Sequence, residues 1–144
     1  MFKTILVAMD GSDHADKALA TACSLARELN GDIHLVHVPE IELIAMAVGV
    51  TPAVLPYNEE DVAKAGKKVI DRATEAAEGA GCKVSSSHVQ QGDPAHVIQA
   101  RAAEIGADLL ITGRRGLGKL TGLLMGSVSQ KLGQVVHCAH MTVV

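Results

Sequence analysis

Thr4-Ile5-Leu6-Val7-Ala8-Met9-Asp10-Gly11-Ser12 decides how the chain folds. Thr4 to Met9 is an apolar run too short for a stable helix, and Asp10-Gly11-Ser12 turns the chain, with Ser12 or Asp13 able to cap a helix that follows. A buried strand feeding a helix through a tight turn is the opening half of a β-α-β unit. The next residues complete it. Ala15, Ala18, Leu19, Ala22, Leu25, Ala26 and Leu29 recur at helical spacing, and Asn30-Gly31 supplies the stop. Ile33, Leu35, Val36 and Val38 then form a second buried strand that ends before Pro39.

The alternation continues along the chain. Glu40 to Tyr57 breaks the pattern with two prolines, much apolar surface and the single Tyr; it reads as a mobile connector or short helix beside a site, or equally as a packed surface loop. Asn58 with Glu59, Glu60 and Asp61 suits a helix start, and Val62, Ala65, Val69, Ala73, Ala76 and Ala77 mark a buried stripe as far as Gly79. Lys83 to Gln90 alternates as a third strand. Gly92-Asp93-Pro94 then gives a turn, a cap and a first-position proline for a third helix running to Ile105. Ala107 to Thr112 is a fourth buried strand, Val128, Leu132, Val135 and Val136 define a last helix, and Met141 to Val144 ends as strand. Strands alternating with helices across short links need crossovers, and crossovers give a parallel sheet. The expected fold is α/β: one domain over residues 1–144 with an open, doubly wound, Rossmann-like five-stranded parallel sheet and helices on both faces. Ligands of such sheets bind beyond the carboxyl ends of the strands where strand order reverses, which nominates the loops Asp10 to Ser12 and Gly113 to Ser127.

Bulk properties narrow the function. With 144 residues, 48% apolar and 20% charged, the chain has the composition of a folded domain. A net charge of −3 gives no global attraction to nucleic acid or an anionic membrane, so any phosphate chemistry is local. The apolar opening stops at Asp10, too short for a signal-peptide core, and no apolar stretch reaches spanning length, so a cytoplasmic location without membrane insertion is expected. Cys23, Cys82 and Cys138 are odd in number and form no CxxC pair, which points to reduced thiols and away from disulfides or structural zinc.

Gly113 to Ser127 carries five glycines and three basic residues, Arg114, Arg115 and Lys119. Glycine lets the backbone turn through positive φ and lets its N–H groups approach a ligand unobstructed. The helix that begins after Gly126 adds open N–H groups and a positive dipole end, with the Ser127 hydroxyl as a further donor. Those are the parts of a phosphate site; otherwise Ser127 is an ordinary N-cap.

These residues resemble the ATP-binding type of the universal stress protein A family. That family carries glycine, two residues, glycine, nine residues, glycine and then Ser or Thr, and this chain has Gly113-x2-Gly116-x9-Gly126-Ser127. The likeness extends over the chain through Ile5 to Ser12, Leu35-Val36-His37-Val38, Gly92-Asp93-Pro94 and Met125-Gly126-Ser127-Val128-Ser129. The resemblance implies an adenine nucleotide-binding regulator of the stress response, whose fold is that of the adenine nucleotide alpha hydrolases, with ATP carried with Mg²⁺ as cofactor. By the same likeness Gly113, Gly116, Gly126, Ser127 and Val128 cradle ribose and phosphates, and the Val38 backbone meets adenine. Ala8, Met9 and Asp10 close the nucleoside end, where a carboxylate accepts from ribose or adenine donors. Asp10 could instead cap the first helix. Arg115, and more loosely Arg114 and Lys119, would hold phosphate charge. A homodimer or higher homo-oligomer through the last strand is implied too, although the tail His140-Met141-Thr142-Val143-Val144 departs from the family's Cys-Pro-Val-Leu-Val-Val.

Rival readings fit less well. Gly113-x4-Gly118-Lys119 nearly spells a Walker A motif, but Leu120 stands where Ser or Thr would hold Mg²⁺. A receiver domain would need clustered acids after its first strand, and Asp10 is alone there. His137, Cys138 and His140 gather at the end of the last helix as surface and packing residues rather than ligands. His14, His34, His37, His88 and His96 have no catalytic partner in sequence, and no nucleophile with a base stands out. The expectation is binding with little or no turnover, against the alternative of a slow ATP hydrolase or nucleotidyl-transfer enzyme at the same loop.

Overall fold

The computed structural model describes residues 1–40, 49, 59–116 and 125–144. Among these described residues nine elements are formed, in chain order β1 (Thr4–Met9), α1 (Asp13–Leu29), β2 (Asp32–His37), α2 (Glu59–Gly79), β3 (Val84–Val89), α3 (Pro94–Glu104), β4 (Leu109–Gly113), α4 (Ser127–Val135) and β5 (Ala139–Val143). All strand pairs are parallel, and the sheet order is β3-β2-β1-β4-β5. The order therefore reverses between β1 and β4, as a doubly wound sheet requires. Among the described residues no helix is long and apolar enough to cross a membrane.

The two-residue period of the strands distributes the core between two layers. Ile5, Val7, Met9, Ile33, Leu35, Leu109 and Ile111 pack against α1 and α2 through Ala18, Leu19, Ala22, Ile70 and Ala73. Leu6, Val36, Val38 and Leu110 face the other way, onto Ala95, Ile98 and Ala102 of α3 and Leu132 of α4. Both faces of β1 and β4 are covered, which is why those strands read as continuous apolar runs. At the opposite end from the site, Asp108 Oδ2 accepts the N–H groups of Lys3 at 2.8 Å and Thr4 at 2.9 Å, fastening the start of β1 beside β4.

Some sequence boundaries shift. Asn30 itself takes the left-handed conformation that ends α1, at φ 52°. β2 closes at His37, so Val38 follows the strand instead of ending it. On α2 the buried stripe is Val62, Gly66, Ile70, Ala73 and Ala77, while Ala65 and Val69 are half-buried and Ala76 is exposed. β4 and β5 are each displaced by two residues at their starts, so His140 belongs to a strand and not to a helix end. Apart from Glu40 and Gly49, the expected connector Glu40 to Tyr57, the helix-start residue Asn58 and Lys119 lie outside the described residues.

Candidate functional site

Three strand ends meet at the carboxyl edge of the sheet. Beyond β1, Gly11 turns the chain at φ +81°, a conformation that favours glycine. Ser12 Oγ accepts the Ala15 N–H at 3.2 Å and is the cap of α1, so Asp10 does not have that task. Asp10 Oδ1 accepts the Ser12 N–H at 2.9 Å. Its Oδ2 faces Gly116, where a β-carbon would overlap it.

Beyond β2, the His37 ring is buried, and its Nδ1–H donates to the Met9 carbonyl at 2.7 Å. A carbonyl only accepts, so this nitrogen carries the proton. Burial holds the His37 pKa below the ordinary imidazole value, its bond to Met9 and the nearby Asp10 charge opposing.

Beyond β4 the chain enters the glycine loop, and Gly126 returns to it: its N–H donates to the Arg114 carbonyl at 2.7 Å. A β-carbon on Gly126 would sit 3.3 Å from that carbonyl oxygen. Gly126 is the N-cap of α4 and makes no side-chain cap bond, which makes Ser127 the first helical residue, exposed, rather than the cap. The amides of the first turn have no partner within a helix, so the dipole end of α4 faces the site without a side-chain cap bond from its N-cap residue.

These ends enclose one cleft. Ala8, Met9, Asp10, Val38, Gly113, Arg115, Gly116, Gly126, Ser127 and Val128 all line it. Arg114, its immediate neighbour, is not among the lining residues. Ala15, Glu40, Pro94, Ile98, Thr112, Met125 and Ser129 also line the cleft and went unassigned by sequence reasoning. Pro94 and Ile98 stand one turn apart on α3, a spacing visible once α3 is known to cover this face. The inner wall is apolar, through Ala8, Val38 and Ile98, while the loop side offers backbone amides, hydroxyls and Arg115. Such a cleft can take a flat apolar ring at one end and an anion at the other. A second groove shares Glu40, Pro94, Ser127 and Val128 and runs out to Asp93 and Lys131, which are paired at 3.1 Å. Asp93 caps α3 by accepting the His96 N–H at 2.9 Å; that bond, then Lys131, holds its pKa below the usual carboxylate value.

Comparison with known proteins agrees with this architecture. The model of the universal stress protein family matches residues 1–144. The chain is 34% identical over 143 residues to universal stress protein YxiE of Bacillus subtilis, covering 96% of each chain. It is 35% identical over 138 residues to a universal stress protein of Thermus aquaticus, again covering 96% of each. Among solved structures, hypothetical protein MJ0577 superposes with a TM-score of 0.80 at 24% identity, covering 99% of this chain and 96% of that one. A universal stress protein in complex with cAMP gives 0.70 at 22% identity with the same coverage. One from Archaeoglobus fulgidus in complex with dAMP gives 0.68 at 19%, covering 100% and 98%. On the family match along the full chain and the two curated relatives, the chain belongs to the universal stress protein family.

Proposed function

We propose that this protein binds ATP in the cleft at the strand-order reversal and acts as a nucleotide-dependent regulator of a stress response, with little or no turnover. The observation that carries the reading is the meeting of an apolar wall with a helix N-terminus capped by glycine and close-packed glycines in one cleft. The cAMP and dAMP bound by two similar structures support adenine as the base. In this reading Val38 takes the adenine edge and the Asp10 carboxylate accepts from the nucleoside. Amides of the glycine loop and the first turn of α4, with the Ser127 hydroxyl, donate to phosphate oxygens, and Arg115 adds positive charge.

Among the described residues no group of three or more His, Cys, Asp or Glu side chains could hold a metal. Mg²⁺ fits the reading as an ion carried by the phosphates with help from one or two carboxylates. Among the described residues, Asp10 and Glu40 are the carboxylates that line the cleft. There the ion would neutralise phosphate charge. A homodimer through the edge strand β5 belongs to the same reading, and sedimentation of the free protein tests it.

Calorimetry of nucleotide-stripped protein with ATP and Mg²⁺ tests the site. Saturable binding near one per chain supports it, and no heat across the titration overturns it. Multiple turnover by pure protein, abolished by Ser127→Ala, would overturn the non-enzymatic part.

A further inference from the structure

The polar side chains buried among the described residues are Ser12, His37, Thr112 and Ser129, and all four lie at the carboxyl edge of the sheet. Burying a hydroxyl is unfavourable unless it is hydrogen-bonded, and an apolar residue would fill the same space in this core. Ser12 caps α1 and His37 holds Met9, which leaves the hydroxyls of Thr112 and Ser129 to be explained. They form a chain with His140. His140 Nε2 lies 2.9 Å from Thr112 Oγ1, Thr112 Oγ1 lies 3.3 Å from Ser129 Oγ, and Ser129 Oγ donates to the Gly113 carbonyl at 2.7 Å.

The directions of these bonds follow from the last of them. A carbonyl cannot donate, so Ser129 spends its proton on Gly113, accepts from Thr112, and leaves Thr112 to accept from His140. All three bonds coexist only if His140 carries its proton on Nε2. The chain thus runs from β5, through the last residue but one of β4, to the first turn of α4, and it ends on the carbonyl of the residue that opens the glycine loop. Thr112, Gly113 and Ser129 all line the cleft, whereas His140 stands behind it.

We infer that Thr112, Ser129 and His140 are positioning residues that fix the start of the glycine loop and the N-terminal turn of α4 in one relative geometry for binding phosphate. The inference rests on the nucleotide reading for its ligand, but not for the geometry itself. A cleft that binds through backbone amides needs those amides held before the ligand arrives, since ordering them on binding subtracts from affinity. Gly126 N–H to Arg114 O joins the two ends of the loop from one side. The hydroxyl chain joins their supporting elements from the other.

The test pairs Thr112→Val, which keeps the shape and removes the hydroxyl, with Thr112→Ser, which keeps the hydroxyl. ATP affinity, thermal midpoint and amide exchange of unliganded protein are read on each, with Ser129→Ala as a second break in the chain should Thr112→Val fold poorly. The expected result is ATP affinity weakened on the order of fivefold in Thr112→Val and Ser129→Ala. Faster exchange confined to residues 113–116 and 126–129 is expected with it, and Thr112→Ser should stay close to wild type in both. Unchanged local exchange and unchanged affinity in Thr112→Val would overturn the inference. So would exchange that rises uniformly over the sheet, which marks a merely structural hydroxyl. If the wild-type protein takes no ATP, the nucleotide reading falls, and local exchange alone decides whether the chain positions the loop.

Discussion

Gly116 and Asp10 come from opposite ends of the chain, yet a β-carbon on Gly116 would overlap the Asp10 carboxylate. The two loops that flank the strand-order reversal therefore touch at a point where one has no side chain and the other has a charge. Asp10 is not free to swing away without loss, because its Oδ1 already accepts the Ser12 N–H. Gly116→Ala should fold, since only a side chain has to give. It should displace the carboxylate and weaken ATP binding on the order of tenfold, about 1.4 kcal/mol. Titration of ATP into the variant measures this, and wild-type affinity would remove Asp10 and Gly116 from the binding role.

Gly113 gives the opposite expectation. A β-carbon there would lie 2.7 Å from the carbonyl carbon of His14 and 2.9 Å from its oxygen, and these are backbone atoms of the first turn of α1. Backbone in a helix cannot rotate away, so the layer itself must move. Gly113→Ala should cost about 3 kcal/mol, the upper end for overpacking, and lower the thermal midpoint by about 5 °C or more. A stability loss below about 1 kcal/mol would show that α1 can slide.

That contrast shows where sequence reading runs out. The periodicities of β1, α1 and β4 made the parallel sheet legible, because each strand buried on both faces leaves an uninterrupted apolar run and each helix a stripe. The cleft was legible through spacing and position in the fold. Gly113 and Gly116 look alike in sequence, but one is small to admit a helix and the other to admit a carboxylate. On α2, counting apolar residues selected Ala65 and Ala76 and passed over Gly66, because a glycine chosen for close contact has no hydrophobicity to count. The Thr112, Ser129 and His140 chain joins three separate elements, and no local pattern encodes such a bond.

Acid should destabilise the fold in the histidine range. His34, His37 and His140 each have a pKa held below the ordinary value, with burial the largest cause in all three. The unfolded chain, with histidines near about 6.5, then binds more protons than the native one. Stability from these groups is fully present above the unfolded pKa and is lost as pH falls from there through the lower native values. Asp93, Glu104 and Asp108 have lowered pKa values as well and act in the same direction, but in the carboxylate range at lower pH. Thermal midpoints should fall from pH 7.5 to 5.5, and His37→Gln, whose amide can still donate to Met9, should flatten the slope. A midpoint that holds or rises over that range would contradict the assignment of neutral rings, buried at His37 and half-buried at His34 and His140.

Gly66 sets two known effects against each other. Replacing a mid-helix glycine with alanine stabilises a helix by about 1 kcal/mol where space allows. Here the new β-carbon would lie 2.7 Å from Val89 Cγ1, 2.9 Å from Pro39 Cγ and 3.4 Å from His37 Cδ2. Val89 stands on the edge strand and is 36% exposed, so its side chain can turn outward, but the Pro39 ring is fixed in its own backbone. Overpacking of this kind costs about 1–3 kcal/mol, which outweighs the gain in helix propensity. Gly66→Ala should therefore be destabilising by about 1 kcal/mol in urea unfolding. Adding Val89→Ala should recover part of that loss, because it removes the nearest of the three contacts, and the two substitutions should be non-additive. Because Pro39 and His37 flank Val38, the single variant should also disturb the apolar wall of the cleft and weaken ATP binding more than Val89→Ala does. A more stable Gly66→Ala protein with unchanged affinity would mean that α2 lifts from the sheet edge without strain, and that this crossing does not set the position of Val38.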